Sequence, residues 1–373
     1  MNRDAPSYEL PLAVAGPRFI TNPSNLCYDF SVVAVLAQTT SNNATLGLPM
    51  QSSIFVVNDQ PYCSVEVDHR QRNVEFLSNF DENSIDYSLR IHEASEDEQR
   101  AAMALRQKYH HALETFFSLI GAYLQAPDCV YAWLSKCSNS SLYELVRRIN
   151  KNEDVFSKLT IPTVSWHELA NSIFRCYESG TDKQTRTVDL YSRSWRRLAG
   201  EFLDRDRIDE YNSIKHGFRV SSGGFSLAIG EEPSIGVTPE KMHSLGGSEF
   251  GTSFFRISTC EPNGNRCVTS RRISLNWKVE KVHGLLHLLS MSIKNVITAL
   301  KIANRCSPAE CTFHRFEEDN SFELPWSFSP GVTRCNFDRV IHVDQIPVLR
   351  KSDLEKSIQN HKASQRTTKP NSS

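Results

Sequence analysis

Residues 95–127 read SEDEQRAAMALRQKYHHALETFFSLIGAYLQAP, and this stretch decides the fold class. It opens on Ser95-Glu-Asp-Glu98, the pattern of a capping box. There a serine accepts from the amide three residues on, while the glutamate reaches back to the cap amide. Met103, Leu105, Tyr109, Leu113, Phe116, Phe117, Ile120 and Leu124 then recur near the helical period. The spacing predicts a helix of about 30 residues, about 45 Å long. Pro127 stops it.

The helical pattern continues towards the C-terminus. A second box, Ser141 to Glu144, opens a helix through Leu145, Val146 and Ile149, and a third, Ser165 to Glu168, one through Leu169, Ile173 and Phe174. Val188, Tyr191, Trp195, Leu198, Ala199 and Phe202 mark another, and a last helix is expected from about Arg207 to Val220. Short connections make these an antiparallel helical bundle over residues 91–224.

On the N-terminal side, residues 1–90 contain no lysine and ten acidic against five basic side chains. Ser53–Asn58 and Ser64–Asp68 flank an Asn-Asp-Gln-Pro break and read as a hairpin. Residues 24–38 fit a helix or a buried strand equally. This is expected to be a small acidic α+β region. On the C-terminal side, Gly223 and Gly224 break the helical pattern, Phe225–Ile229 and Phe250–Ser258 alternate like strands, and Trp277 to Asn304 reads as one long helix. Residues 225–345 are thus a β-hairpin plus a long helix, and the polar tail 346–373 is expected to be disordered. The fold class is mainly α: a bundle with a small α+β N-terminal region and a basic α+β C-terminal part.

Length and composition bound the rest. The 373 residues suit two to three packed domains. A formal charge of −1 excludes a uniformly basic nucleic-acid coat but not a local basic patch. No apolar region follows the opening Met-Asn-Arg-Asp, so no cleaved signal peptide is expected. The apolar run Val32 to Ala37 falls far short of the ~20 residues that span a bilayer. Ten widely spaced cysteines in a chain this long read as reduced thiols, and the expected location is cytoplasmic, without membrane contact.

The segment richest in chemistry is Ile208-Asp-Glu-Tyr-Asn-Ser-Ile-Lys-His-Gly-Phe-Arg-Val220. On a helical wheel Ile208, Tyr211, Ile214 and Phe218 share the core sector, and Asp209, Glu210, Ser213 and Gly217 face water. Asn212, Lys215, His216 and Arg219 line the edge between them. Lysine and arginine supply charge-assisted donors to phosphate oxygens. Histidine carries a proton near neutral pH. The plainer alternative is a solvated edge with snorkelling cations and an ordinary interior histidine.

A helical bundle whose late helix carries a polar residue, three residues, then histidine resembles the HEPN superfamily. Its active members are metal-independent ribonucleases of toxin–antitoxin, abortive-infection and CRISPR systems. Their motif is arginine, four to six residues, then histidine, often with Asn, Asp or His directly after the arginine. Asn212 matches that following residue and His216 the histidine, while Tyr211 stands where the arginine belongs. This departure removes the cation expected on the scissile phosphate, with Lys215 or Arg219 as candidate replacements. The resemblance implies contact with RNA or a nucleotide phosphate in bacterial stress or phage defence. If cleavage occurs, His216 assists proton transfer at a ribose 2′-hydroxyl, Asn212 orients, and no metal or cofactor is needed. The alternative is a non-catalytic helical interaction or scaffold protein, with a protein partner or a second copy of itself.

Other constellations are weaker. Residues 256–305 hold nine Lys/Arg against Glu261 and Glu280, with Arg271, Arg272, Lys278 and Lys281 as the candidate basic patch. Charge complementarity to the acidic first ninety residues explains the same excess. His283 and His287, and the set Cys306, Cys311, His314 and Cys335, have neither the order nor the spacing of a standard zinc site, so no metal is expected. Cys260 and Cys267 flank an Asn-Gly turn and are placed to face each other across a hairpin.

Overall fold

The computed structural model describes residues 50–216, 219–231, 241–260, 267–341 and 351–367. The expectations for residues 1–49, including the helix-or-strand segment 24–38, lie outside them. The chain divides into two compact units, one of Met1–Asn212 with Trp277–Gly331, the other of Ser213–Asn276 with Val332–Ser373. This division cuts across the plan read from sequence. The hairpin near residue 58 and the long C-terminal helix both belong to the same unit as the central helices.

The first unit is helical. Its described part opens on β1 (Gln51–Val57) and β2 (Gln60–Glu66), paired antiparallel about Asn58, whose φ of 58° suits a tight two-residue turn. Helices α1 (His69–Ser78), α2 (Ser84–Glu93), α3 (Glu98–Gln125), α4 (Val130–Lys136), α5 (Asn139–Asn150), α6 (Trp166–Ile173), α7 (Asp182–Leu203) and α8 (Arg205–Lys215) follow. The capping signals were legible with local shifts. Ser165 accepts from the Glu168 amide as the sequence implied. At α3 the cap is Asp97, which accepts from the Arg100 amide, and at α5 it is Ser138, which accepts from the Ser141 amide. Either residue type suits the position, so neighbouring Ser and Asp compete and the backbone decides.

The second unit contributes β3 (Val220–Ser222), β4 (Ser226–Ile229), β5 (His243–Gly247), β6 (Gly251–Cys260) and β7 (Cys267–Asn276). The chain then returns to the helical unit with α9 (Val279–Ala303) and the short α10 (Leu324–Ser327), and ends in the second unit with β8 (Arg334–Ile341) and α11 (Lys351–Thr367). Residues 351–367, expected to be disordered, are thus helical. β4 and β5 form a ribbon, while β3, β6, β7 and β8 form an antiparallel sheet in the order β3-β6-β7-β8. Cys260 and Cys267 are Cα partners in the β6–β7 register, as the turn between them implied.

In the helical unit α3 packs along α9. Phe116, Phe117 and Leu124 of α3, Trp195 of α7, and Leu286, Leu289 and Val296 of α9 are fully buried. The Trp195 indole donates to the Ser292 hydroxyl at 2.9 Å, so this large ring is buried without losing its hydrogen bond. Gly121 lets α3 approach Trp133 closely, because a Cβ there would lie 2.3 Å from the indole ring. Among the described residues α9 alone is long and apolar enough to cross a membrane, and 78% of its apolar window is buried inside the protein. That burial marks the core helix of a packed unit.

Candidate functional site

The expected edge of Asn212, Lys215, His216 and Arg219 does not lie on one helix. α8 ends at Lys215, His216 stands in a turn, and Arg219 leads into β3. The cause is tertiary. Val220, a β-branched residue, pairs with Phe254 and packs against the buried cluster of Phe254, Ile273 and Leu275. Asn212, Lys215, His216 and Arg219 are all exposed. Ile214 is buried as the wheel implied, and Ile208 and Tyr211 are half-buried. Phe218 and Gly217 lie outside the described residues.

Glu210 corrects the wheel outright. Expected to face water, it is fully buried. Arg106 of α3 donates to both its carboxylate oxygens, at 3.2 and 2.6 Å, and His110 meets it at 3.1 Å. Burial alone would raise the Glu210 carboxyl, but Arg106 outweighs it and holds the group far below the ordinary carboxylate range. Burial also lowers His110, which therefore sits as a neutral imidazole, and Arg106 supplies the countercharge. Beside this set, Glu201 of α7 accepts from Tyr109 at 2.5 Å, Arg207 at 2.7 Å and Lys281 at 2.8 Å. Burial opposes its ionisation, yet Arg207 and Lys281 hold its carboxyl at about 2.

This network answers its charges internally. It ties α3, α7, α8 and the start of α9 together, and the Arg106 guanidinium lies over the rings of Tyr109 and Trp277. The signal for it was present in the sequence: Arg106 and His110 share a helical face with Leu113 and Phe117 at i, i+4, i+7 and i+11. Arginine, four residues, then histidine also occurs at Arg106 and His111. There Arg106 is committed to Glu210, while His111 is exposed and edge-on to Tyr211. Tyr211, in the place of the motif arginine, donates its hydroxyl to Glu114 at 2.7 Å.

The basic stretch is divided as well. Lys278 and Lys281 belong to the helical unit, Arg271 and Arg272 to the other. Lys281 serves Glu201, and Arg271 forms a two-pronged pair with Asp338, its direct cross-strand neighbour, at 2.6 and 2.7 Å. Lys294 pairs with Asp86 at 2.6 Å, so part of the basic excess does complement the acidic N-terminal region. Arg272 remains an exposed cation on β7.

Among the described residues no group of three or more His, Cys, Asp or Glu side chains is arranged to hold a metal ion. Cys306, Cys311 and His314 lie in the helical unit and Cys335 in the other. His283 and His287 stack edge to face with ring centroids 4.8 Å apart, and His283 approaches Glu93 at 3.2 Å. A depression beside α7 is lined by Arg186, Asp189, Arg193, Asp319 and Glu323, in which Arg186 pairs with Asp319 and Arg193 with Glu323.

The outer face of the four-stranded sheet is different in kind. Phe254, Ile273 and Leu275 point inward, so Phe255, Arg272 and Phe337 point outward. The register sets these three side by side across β6, β7 and β8. Phe255 is 69% exposed and Phe337 64%. One row further along, Ile257, Ser270 and Arg339 are aligned, with Ile257 72% exposed. Arg219 directly precedes Val220, where β3 begins, and its amide donates to the Ser213 carbonyl at 2.8 Å rather than to β6. Sequence reading selected Arg272 and did not select Phe255 and Phe337, the rings on either side of it. No protein-family model, no curated protein and no solved structure matches this chain.

Proposed function

We propose that this is an RNA-binding protein that engages the phosphate backbone through exposed cations of its sheet-bearing unit, chiefly Arg219 and Arg272, with Lys215, His216 and Arg339 around them. One observation supports the reading: Arg272, chosen from sequence, lies exposed on the outer face of the sheet with Arg339 on the same face, and Arg219 is exposed just before β3. In the same reading the helical unit is an antiparallel bundle serving as a scaffold, and the protein works in the cytoplasm. The HEPN resemblance adds a setting in stress or phage defence. Binding without cleavage fits best, because Tyr211 offers a hydroxyl already given to Glu114 where the motif requires a cation.

Phosphate contacts release counterions, so affinity for single-stranded RNA should fall with salt at a log–log slope of about −0.7 per contact. Fluorescence anisotropy with labelled RNA between about 50 and 200 mM KCl measures it. Arg219→Glu and Arg272→Glu should each flatten the slope and weaken all sequences alike. Absence of salt-dependent RNA binding at low ionic strength would sink the proposal.

A further inference from the structure

The geometry points to a more specific ligand for this face: single-stranded nucleic acid with unpaired bases, laid across β6, β7 and β8 and stacked on Phe255 and Phe337. This deepens the phosphate-binding reading above and rests on it. Neighbouring strands lie about 4.8 Å apart, so the two rings stand roughly 10 Å apart with the Arg272 guanidinium between them. Aromatic rings and guanidinium planes are both surfaces on which unstacked bases lie. Phe255, Arg272 and Phe337 thus alternate ring, cation and ring in register order.

Two features favour this occupant. Large aromatic side chains exposed at 64% and 69% on a regular sheet are not there for the core, whose inward row of Phe254, Ile273 and Leu275 is separate and complete. The charge on the same face is also of one sign among the described, aligned positions: Arg272 and Arg339 outward, with Asp338 on the opposite face neutralised by Arg271. A purely apolar partner would leave those guanidinium groups in an apolar contact, whereas a strand of nucleic acid answers both features. A duplex offers phosphates but hides its base faces, so it cannot use the rings.

The test uses the full chain and three fluorescent probes: a twelve-nucleotide oligo(U), an RNA duplex of the same length, and heparin. Oligo(U) should bind more tightly than the duplex at matched salt. Phe255→Ala and Phe337→Ala should each weaken oligo(U) binding by about tenfold while leaving the salt slope unchanged. Phe255→Tyr, which keeps the ring, should retain affinity. Equal affinity for oligo(U) and duplex, with the Phe variants neutral, would overturn the stacking proposal while leaving the phosphate reading in place. Failure of all three probes to bind at low salt would remove both. Light scattering that finds a wild-type dimer, dissociated by Phe255→Ala, would assign the face to a second copy of this chain and overturn the proposal. Because both rings are largely exposed, the variants should melt with the wild type, and circular dichroism checks this.

Discussion

The interior of the helical unit and the outer face of the sheet use the same residue types for opposite ends. Inside, Arg106, Arg207 and Lys281 are each matched by Glu210 or Glu201, and Trp277, Trp326 and Tyr109 lie under the cations. On the sheet, Arg272 and Arg339 lie in water beside Phe255, Phe337 and Ile257. A buried cation with its carboxylate holds the chain in one arrangement. Among the described residues Arg272 and Arg339 are matched by no carboxylate, so they contribute little to holding the fold. An Arg-plus-aromatic pairing therefore reveals function only once burial is known.

The largest expected effect tests the inner half of that contrast. Glu210→Ala leaves Arg106 charged, buried and unanswered, which should cost about 3–5 kcal/mol. Arg106→Met with Glu210→Leu removes both partners and should recover most of the loss. Urea denaturation measures both, and a Glu210→Ala loss below about 1 kcal/mol would show that the network does not hold the unit together.

The next effect is on pH. Burial lowers His110, His287, His314 and His92 from their ordinary values. A folded histidine that resists protonation binds fewer protons than its unfolded counterpart. Its contribution is therefore fully present above the unfolded value near 6.5 and is lost as pH falls below it. The melting temperature should drop steadily from about pH 6.5 downward, and His110→Gln should flatten the drop. A second fall, beginning near the unfolded carboxylate value of about 4.3, belongs to Glu201 and Glu210, whose folded carboxyls are depressed. A melting temperature that is constant from pH 7 to 5 would contradict the assignment of neutral interior histidines.

Smaller still is a local test. Ser138→Ala removes the α5 cap and should cost about 1 kcal/mol, whereas Ser141→Ala, which keeps the cap oxygen on Ser138, should cost much less. The smallest stability effect is expected on the sheet, where Phe255→Ala should stay within about 0.5 kcal/mol of the wild type. That near-neutrality, set against the tenfold loss of single-strand affinity expected for the same variant, is the sharpest form of the comparison. A large destabilisation by Phe255→Ala would mean the ring belongs to the fold after all.

Legibility from sequence tracked the distance over which each feature is decided. The helix read from residues 95–127 is present as α3, because its period is long and its stop is a proline. Ser165 and the long helix from Trp277 were legible for the same local reasons. The end of α8 was not, because Val220 is drawn into a strand by Phe254, which lies far along the chain. Glu210 was misplaced because its partners stand 104 and 100 residues away, and a helical wheel sees only its own turn. On the sheet Arg272 was legible and the rings were not. Phe254 and Phe255 are adjacent and alike, and only the pairing of β6 with β7 shows which one faces water.

The interleaving of the two units also sets an order of events during synthesis. α3 finds its long partner α9 only after the intervening α4–α8 and β3–β7 have been made. At about 5–20 residues per second, those roughly 150 residues take on the order of ten to thirty seconds. Throughout that interval the apolar stripe of α3 has emerged from the ribosome and α9 has not. The sheet waits longer still, since β8 is translated after α9 and closes the row that holds Phe337. The helical unit takes in its last segment, up to Gly331 with the buried Phe322, before β8 is made, so the four-stranded sheet is completed only after the chain of the helical unit has been synthesised.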